Sequence, residues 1–87
     1  MGEYKAFLRR SVLKMDLRRI PKPGVRRIMK QIGSLSGNPR PPGITKLSGQ
    51  ERYRIRQGDY RIIFSIQDEA HTVWVVKVAH RKNAYRK

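Results

Sequence analysis

Three arginines in the second half of the chain are spaced so that they could bind a phosphate group together. Arg54 and Arg56 precede Gly58 and Asp59, and Arg61 follows them. Polar and apolar residues alternate on both sides, and glycine in the first loop position suits a type II′ turn, so we predict a β-hairpin. Arg56 then faces Arg61. Opposed like charges in a sheet cost up to about 1 kcal/mol per pair, which favours an anion-binding surface over a solvated edge strand.

The other face of this hairpin is apolar and predicts where the core lies. Side chains two positions apart share a face of a strand, and this set alternates with the arginines. Its members are Tyr53, Ile55, Ile62 and Phe64.

A last strand, from Thr72 to Ala79, is predicted by its β-branched residues. It follows a loop that we place at residues 68–70. This loop pairs Phe64 with Trp74, Ile62 with Val76, and Arg61 with Lys77. We therefore expect Trp74 and Val76 in the core and Lys77 beside the arginines.

The first half of the chain predicts one strand and two helices. The strand runs from Tyr4 to Leu8, a short helix from Ser11 to Arg19, and a second helix from Pro23 to its end at Gly37-Asn38-Pro39. Apolar residues at helical spacing form two stripes, expected to face the core. The stripes are Leu13, Leu17 and Ile20, then Val25, Ile28, Met29, Ile32 and Leu35.

These elements predict a single α+β domain over residues 1–87. It has two layers, in which an N-terminal strand and two helices pack on an antiparallel β-sheet in the order β-α-α-β-β-β. A chain of 87 residues has room for one such core.

Composition narrows the classes of partner and of chemistry. The formal net charge is +15, so the partner is expected to be nucleic acid, an acidic protein or an anionic membrane surface. The membrane is the least expected of the three, because no apolar run approaches the ~18 residues that a membrane-spanning helix needs. The chain contains no cysteine, which excludes disulfides, thiolate zinc sites and a cysteine nucleophile. No cluster of metal ligands is visible, so neither a metal nor another cofactor is expected. No apolar signal-peptide core is visible either, so a cytoplasmic location is expected.

Several segments together resemble the RelE branch of the RelE/ParE toxin superfamily over nearly the whole chain. They are Asn38-Pro39-Arg40-Pro41, Lys46-Leu47-Ser48-Gly49, the hairpin from Tyr53 to Phe64, and the ending from His80 to Arg86. The resemblance implies the toxin of a type II toxin–antitoxin pair. Such toxins are endoribonucleases that cut messenger RNA in the ribosomal A site, without a metal, by attack of the 2′-hydroxyl. It also implies a cognate antitoxin as partner, in a toxin–antitoxin hetero-oligomer.

The resemblance also implies roles for individual residues. Arg61 would stabilise charge on the phosphate, Arg81 would neutralise the phosphate or the leaving group, and Tyr85 would stack on or orient a base. On chemical grounds rather than from the resemblance, histidine is the side chain suited to acid–base chemistry near neutral pH. His80 would therefore act as acid or base, or would serve a structural or phosphate-binding role; strand parity points it away from Arg81. The expected RNA-binding residues are Arg54, Arg56, Lys46, Lys77, Lys82 and Arg86.

Two other functions fit the sequence. The ParE branch shares the fold but poisons DNA gyrase and is not a nuclease; its members generally lack the complete set of basic hairpin and C-terminal residues. A non-catalytic module that binds RNA or the ribosome would need only the charge.

Overall fold

The computed structural model describes residues 3–47, 49, 51–80 and 82, and the strands in this part of the chain form one sheet. The strands are β1 (Lys5–Leu8), β2 (Thr45–Lys46), β3 (Tyr53–Gln57), β4 (Tyr60–Gln67) and β5 (Thr72–His80). Their order is β1-β5-β4-β3-β2, with β1 parallel to β5 and all other neighbours antiparallel. The α+β class is confirmed. The antiparallel pairing of β3, β4 and β5 is confirmed. Strand β1 joins the edge of the sheet in parallel with β5, and the sequence pattern does not predict the short strand β2.

The main helix, α1, spans Lys22–Gly37 and packs on one face of the sheet. Pro23 lies in its first turn, where a fixed φ suits the helix and the missing N–H needs no partner. The predicted end of the helix is confirmed. Met29 is exposed, contrary to expectation, because the buried stripe is narrower than predicted. The buried residues of α1 are Ile28, Ile32 and Leu35.

A shorter helical segment precedes α1, with a π-helical turn at Val12–Asp16 and a 3₁₀ turn at Leu17–Arg19. The amide of Leu17 donates to the carbonyl of Val12, five residues earlier, so these two residues lie on the same side. Val12 and Leu17 are therefore buried, while Leu13, which a regular helix would bury, is 54% exposed. The predicted position of this helix is confirmed, and the predicted burial of Leu13 is wrong.

No helix in the described part of the chain is long and apolar enough to span a membrane.

The β3–β4 hairpin has the predicted register. Ile55 pairs with Ile62, and Arg56 pairs with Arg61. Gly58 has a φ of +60°, which an L side chain rarely adopts. Asp59, at the second loop position, does not have a positive φ. This agrees with a type II′ turn, which needs a positive φ only at the first loop position. The hairpin therefore separates an apolar face, buried with α1, from a face that carries arginines.

Strand β5 pairs with β4 in a different register from the one expected. The turn is one residue longer, because Gln67 pairs with Thr72 and His71 adopts a left-handed φ of +51°. The longer turn moves Trp74 to the face opposite the core, where it pairs with Ser65 and is 38% exposed. The prediction of Trp74 as a core residue is therefore wrong.

A β-bulge shifts the register again between Ile63 and Phe64. Val76 occupies this bulge and is buried, but it does not belong to the main core cluster. Lys77 faces Ile63, whereas the sequence predicts Arg61 as its partner. The β5 residues in the core are Val73, Val75 and Val78.

Asp16 attaches the N-terminal helical segment to the edge of β5. Strand β1 pairs with β5 only as far as Val75. Beyond that point the amide of Val78 donates to Oδ2 of Asp16 over 2.9 Å, in a partly buried hydrogen bond. The carboxylate thus satisfies an edge amide that β1 does not reach.

Replacing Asp16 with alanine should destabilise the protein by about 1–3 kcal/mol, because the amide of Val78 loses its acceptor. Asp16→Asn keeps an acceptor oxygen and should lose less. Lys14→Ala changes an exposed residue of the same turn and is the matched control. Urea unfolding measures all three; equal stability of Asp16→Ala and Lys14→Ala would show that this bond does not support β5.

Asp68, in the β4–β5 turn, joins two distant parts of the chain. Arg40 donates to both of its carboxylate oxygens, over 3.0 and 2.9 Å. The hydroxyl of Tyr4 donates to Oδ1 over 2.6 Å. These hydrogen bonds lower the pKa of Asp68 from 3.8 to about 2, and the bond from Arg40 has the larger effect. The bond to Asp68 also raises the pKa of Tyr4.

The pKa of Asp68 is lower in the folded protein than in the unfolded chain, so its stabilising effect is fully present above about pH 4 and is lost as the pH falls toward 2. Wild type should therefore have a higher Tm than Asp68→Asn at neutral pH, and the difference should shrink across that window. Glu69→Gln removes a neighbouring carboxylate and leaves the Arg40 contact in place, so it is the control. A Tm difference between wild type and Asp68→Asn that does not change between about pH 6 and 2 would contradict this linkage.

Candidate nucleic-acid interface

The two faces of the sheet differ in what they carry. One, called here the helix face, packs against the helices; the other is called the outer face. Residues paired directly in neighbouring strands share a face, so the registers assign each side chain. The outer face includes Arg54, Arg56, Arg61 and Lys77. The structure thus brings these predicted site residues together.

Arg56 and Arg61 stand opposite each other beside the hairpin turn. Arg61 is only 8% exposed, whereas Arg56 is exposed. With Gly58 and Tyr60 they line a pocket of about 90 Å³. A guanidinium group stays protonated and binds phosphate through two parallel N–H donors. The pocket is therefore suited to binding an anion, and its arginines cannot accept a proton.

Arg54 and Lys77 extend the positive charge across three strands. Ile63 of β4 lies between them, paired with Arg54 on β3 and with Lys77 on β5. Adjacent strands are about 4.8 Å apart, so the two backbone positions are separated by roughly 10 Å. Cations at several separate positions suit a chain of phosphates better than one small anion.

His80 and Lys46 lie on the helix face, away from Arg61. His80 pairs with Tyr60 and meets its ring edge-on, with 5.5 Å between the ring centroids. Lys46 pairs with Tyr53, a residue of the apolar face, and its Nζ is 3.9 Å from Glu51. These two predicted site residues therefore do not join the arginines.

The predicted site residues Arg81, Tyr85 and Arg86 lie outside the described residues. Lys82 is exposed, and its amide donates to Nδ1 of His80 over 3.2 Å. Because Nδ1 accepts this hydrogen bond, the neutral ring of His80 carries its proton on Nε2. Among the residues that the structure describes, no three or more histidine, aspartate or glutamate side chains group so that they could hold a metal ion.

A larger groove, of about 500 Å³, opens at the edge of β3. Strand β2 covers only Tyr53 and Arg54 of that edge. The groove is lined by Gln31 of α1, Gly43 before β2, and Arg54 and Arg56 of β3, among others. The arginines thus border both the outer face and this groove, so an extended anionic chain bound on the outer face could continue around the edge of the sheet.

Sequence reasoning missed two residues of the outer face, Phe7 on β1 and Trp74 on β5. They pair directly in the β1–β5 ladder, and their rings stack. Apolar residues occupy both alternating sets of positions in the first part of β5. Periodicity therefore cannot tell which set is buried, and the length of the turn decides it.

Comparisons with known proteins find toxins that are similar in sequence and in structure. The family model of the ParE toxin of type II toxin–antitoxin systems, parDE, matches residues 9–85. In the archaeal RelE–RelB complex from Pyrococcus horikoshii OT3, the similar chain is 30% identical with a TM-score of 0.82, over 94% of this chain and 99% of that chain. In the toxin–antitoxin complex RelBE2 from Mycobacterium tuberculosis, the similar chain is 26% identical with a TM-score of 0.81, and the match covers 91% of this chain and 99% of that chain. In the RelB–RelE complex from Methanococcus jannaschii, the similar chain is 28% identical with a TM-score of 0.73, and the match covers 91% of this chain and 94% of that chain. A comparison with curated protein sequences found no match.

Proposed function

Because this chain belongs to the ParE toxin family of type II toxin–antitoxin systems, within the RelE/ParE superfamily, we propose that it is a RelE-like endoribonuclease that cleaves messenger RNA in the ribosomal A site and so stops translation. The observation that carries the proposal is the opposition of Arg56 and Arg61 on the outer face, beside the pocket that they line. Opposed like charges destabilise a sheet, and a bound phosphate removes that cost.

In the proposed reaction, the 2′-oxygen of a ribose attacks the adjacent phosphorus, and the bond from phosphorus to the 5′-oxygen of the next nucleotide breaks. The 2′-hydroxyl loses a proton and the departing 5′-oxygen gains one, which leaves a 2′,3′-cyclic phosphate and a 5′-hydroxyl. Negative charge builds up on the phosphate oxygens in the transition state, where pre-positioned donors are most effective. Arg61 suits this role because burial fixes its position and reduces screening by water.

The remaining roles follow from the family resemblance. Arg81 neutralises the phosphate or the leaving group, and Tyr85 stacks on or orients a base. The contacts of His80 with Tyr60 and with the amide of Lys82, on the helix face, favour a structural role for this histidine. The protein then relies on the ribosome to hold the RNA in a reactive geometry.

A cognate antitoxin is the proposed protein partner. The similar chains from Pyrococcus horikoshii, Mycobacterium tuberculosis and Methanococcus jannaschii were all solved in complexes with antitoxins. A net charge of +15 favours an acidic partner that competes with RNA for the outer face. The toxin and antitoxin form a hetero-oligomer, and we propose that both act in the cytoplasm.

The second candidate function is poisoning of DNA gyrase. The observation that favours it is the match to a family model described as a ParE toxin. The two functions predict different products, because a nuclease leaves cut RNA whereas a gyrase poison leaves broken DNA.

Expression of this chain alone should arrest translation and leave messenger RNA fragments that end in 2′,3′-cyclic phosphates. Enzymatic detection of those ends, in cells and in a purified translation reaction, is the measurement. Gyrase-dependent DNA breaks with intact messenger RNA would select the second candidate. Normal growth with uncut RNA, while the folded protein is present, would reject both functions.

Arg61→Ala should reduce the single-turnover rate of cleavage by about 10²–10³, or roughly 3–4 kcal/mol, because a donor to the transition state is lost. Affinity for uncut RNA should change little, since the other cations of the outer face remain. Arg26→Ala removes an exposed arginine from α1 and should leave the rate nearly unchanged. If the two variants cleave equally fast, Arg61 is not catalytic.

A further inference from the structure

Phe7 and Trp74 form an exposed aromatic pair on the outer face. Their ring centroids are 5.0 Å apart, with planes 26° from parallel. Phe7 is 40% exposed and Trp74 is 38% exposed. Ser65 is the neighbour of Trp74 on β4, and β1 is an edge strand. A small neighbour on one side and the sheet edge on the other leave space beside the rings.

The protein does not use this pair to build its core. The buried cluster includes neither residue, and the chain has only one tryptophan. Single exposed apolar side chains are common on protein surfaces, whereas adjoining ones mark surfaces that bind something. Aromatic rings among so many cations suggest a ligand with both flat rings and negative charge.

The pair lies on the same face as the arginines and within reach of the same nucleic-acid strand. Ser65 is four residues along β4 from Arg61, which is about 13 Å. That distance equals about four nucleotides stacked at 3.4 Å each. Cations lie around the pair: Lys5 is two residues from Phe7 on β1, and Lys77 is on the outer face of β5. Stacking rings beside a basic track are the means by which proteins bind single strands.

We propose that Phe7 and Trp74 form a base-stacking subsite for single-stranded RNA, several nucleotides from the phosphate held by Arg56 and Arg61. The subsite rests on the proposed function in one respect, that RNA is the substrate. Its role is to position the strand, since neither ring lies near the arginine pocket. A base stacks on the exposed faces of the rings, while Lys5 and Lys77 contact the phosphates beside it.

Trp74, as the only tryptophan, reports on its own site through its fluorescence. The probe is an eight-nucleotide RNA with 2′-O-methyl groups, which cannot be cleaved because the attacking hydroxyl is blocked. We expect saturable quenching of Trp74 by this strand. A strand of the same length that lacks bases carries the same phosphates, so it should bind by charge and leave the fluorescence nearly unchanged.

Variants separate stacking from electrostatics. Trp74→Ala and Phe7→Ala should each weaken binding of the base-containing strand by about five- to 150-fold, measured by anisotropy of a labelled strand. Neither should change the slope of affinity against salt, because no phosphate contact is lost, whereas Lys77→Ala should reduce that slope. Trp74→Phe retains a ring and should recover most of the affinity. Leu13→Ala removes another exposed apolar side chain, from the helical segment, and should have no effect.

The outcomes distinguish this subsite from the nuclease assignment. Base-dependent quenching, with no cleavage of messenger RNA in the purified translation reaction, would support the subsite and reject the proposed function. Equal quenching by the strand without bases, or unchanged affinity in both folded alanine variants, would overturn the subsite and leave a protein partner as the occupant of the pair. If Trp74→Ala and Phe7→Ala still cleave RNA at the wild-type rate, the nuclease activity does not depend on the aromatic pair.

Discussion

The opposition of Arg56 and Arg61 across the β3–β4 hairpin is the constraint on which the rest of the sheet depends. The alternation that places these charges on the outer face also places Ile55 and Ile62 on the helix face, where they are buried. A slip of one residue would exchange the two sets and bury charge in the core. The turn must therefore be fixed, and Gly58 adopts its φ of +60° without a steric penalty. One pattern determines both core packing and the display of charge.

The packed helix face compensates for the cost of the outer face. Fully buried residues such as Ile28, Leu35 and Phe64 belong to the core, and each contributes about 1.5–3 kcal/mol. Repulsion between like charges opposed in a sheet is typically about 1 kcal/mol or less per pair. A small domain with one well-packed layer can thus retain a destabilising charged surface. Binding of an anion removes this cost, which links the stability of the protein to its occupancy by a ligand.

The sequence predicts those parts of the fold that local patterns determine. The register of the hairpin follows from Gly58 and the alternation around it, and the end of α1 follows from Gly37-Asn38-Pro39; both predictions are confirmed. The register of β5 depends on the left-handed conformation of His71 and on a bulge, neither of which has a signal in the alternation. For this reason the prediction of Trp74 as a core residue is wrong. The parallel pairing of β1 with β5 joins residues far apart in the chain, so no local pattern indicates it.

The outer face also limits how the proposed cleavage could work. The ionisable side chains at its described sheet positions are arginines and lysines, and none is histidine, aspartate or glutamate. A guanidinium group stays protonated, so the arginines stabilise a charged transition state but cannot accept the proton of the 2′-hydroxyl. The rate would then depend mainly on how well the RNA is held before reaction. Such an enzyme gains most from a substrate that is already extended and fixed, as in a translating ribosome, and from a second contact, such as stacking on Trp74, that prevents the strand from sliding along its basic track.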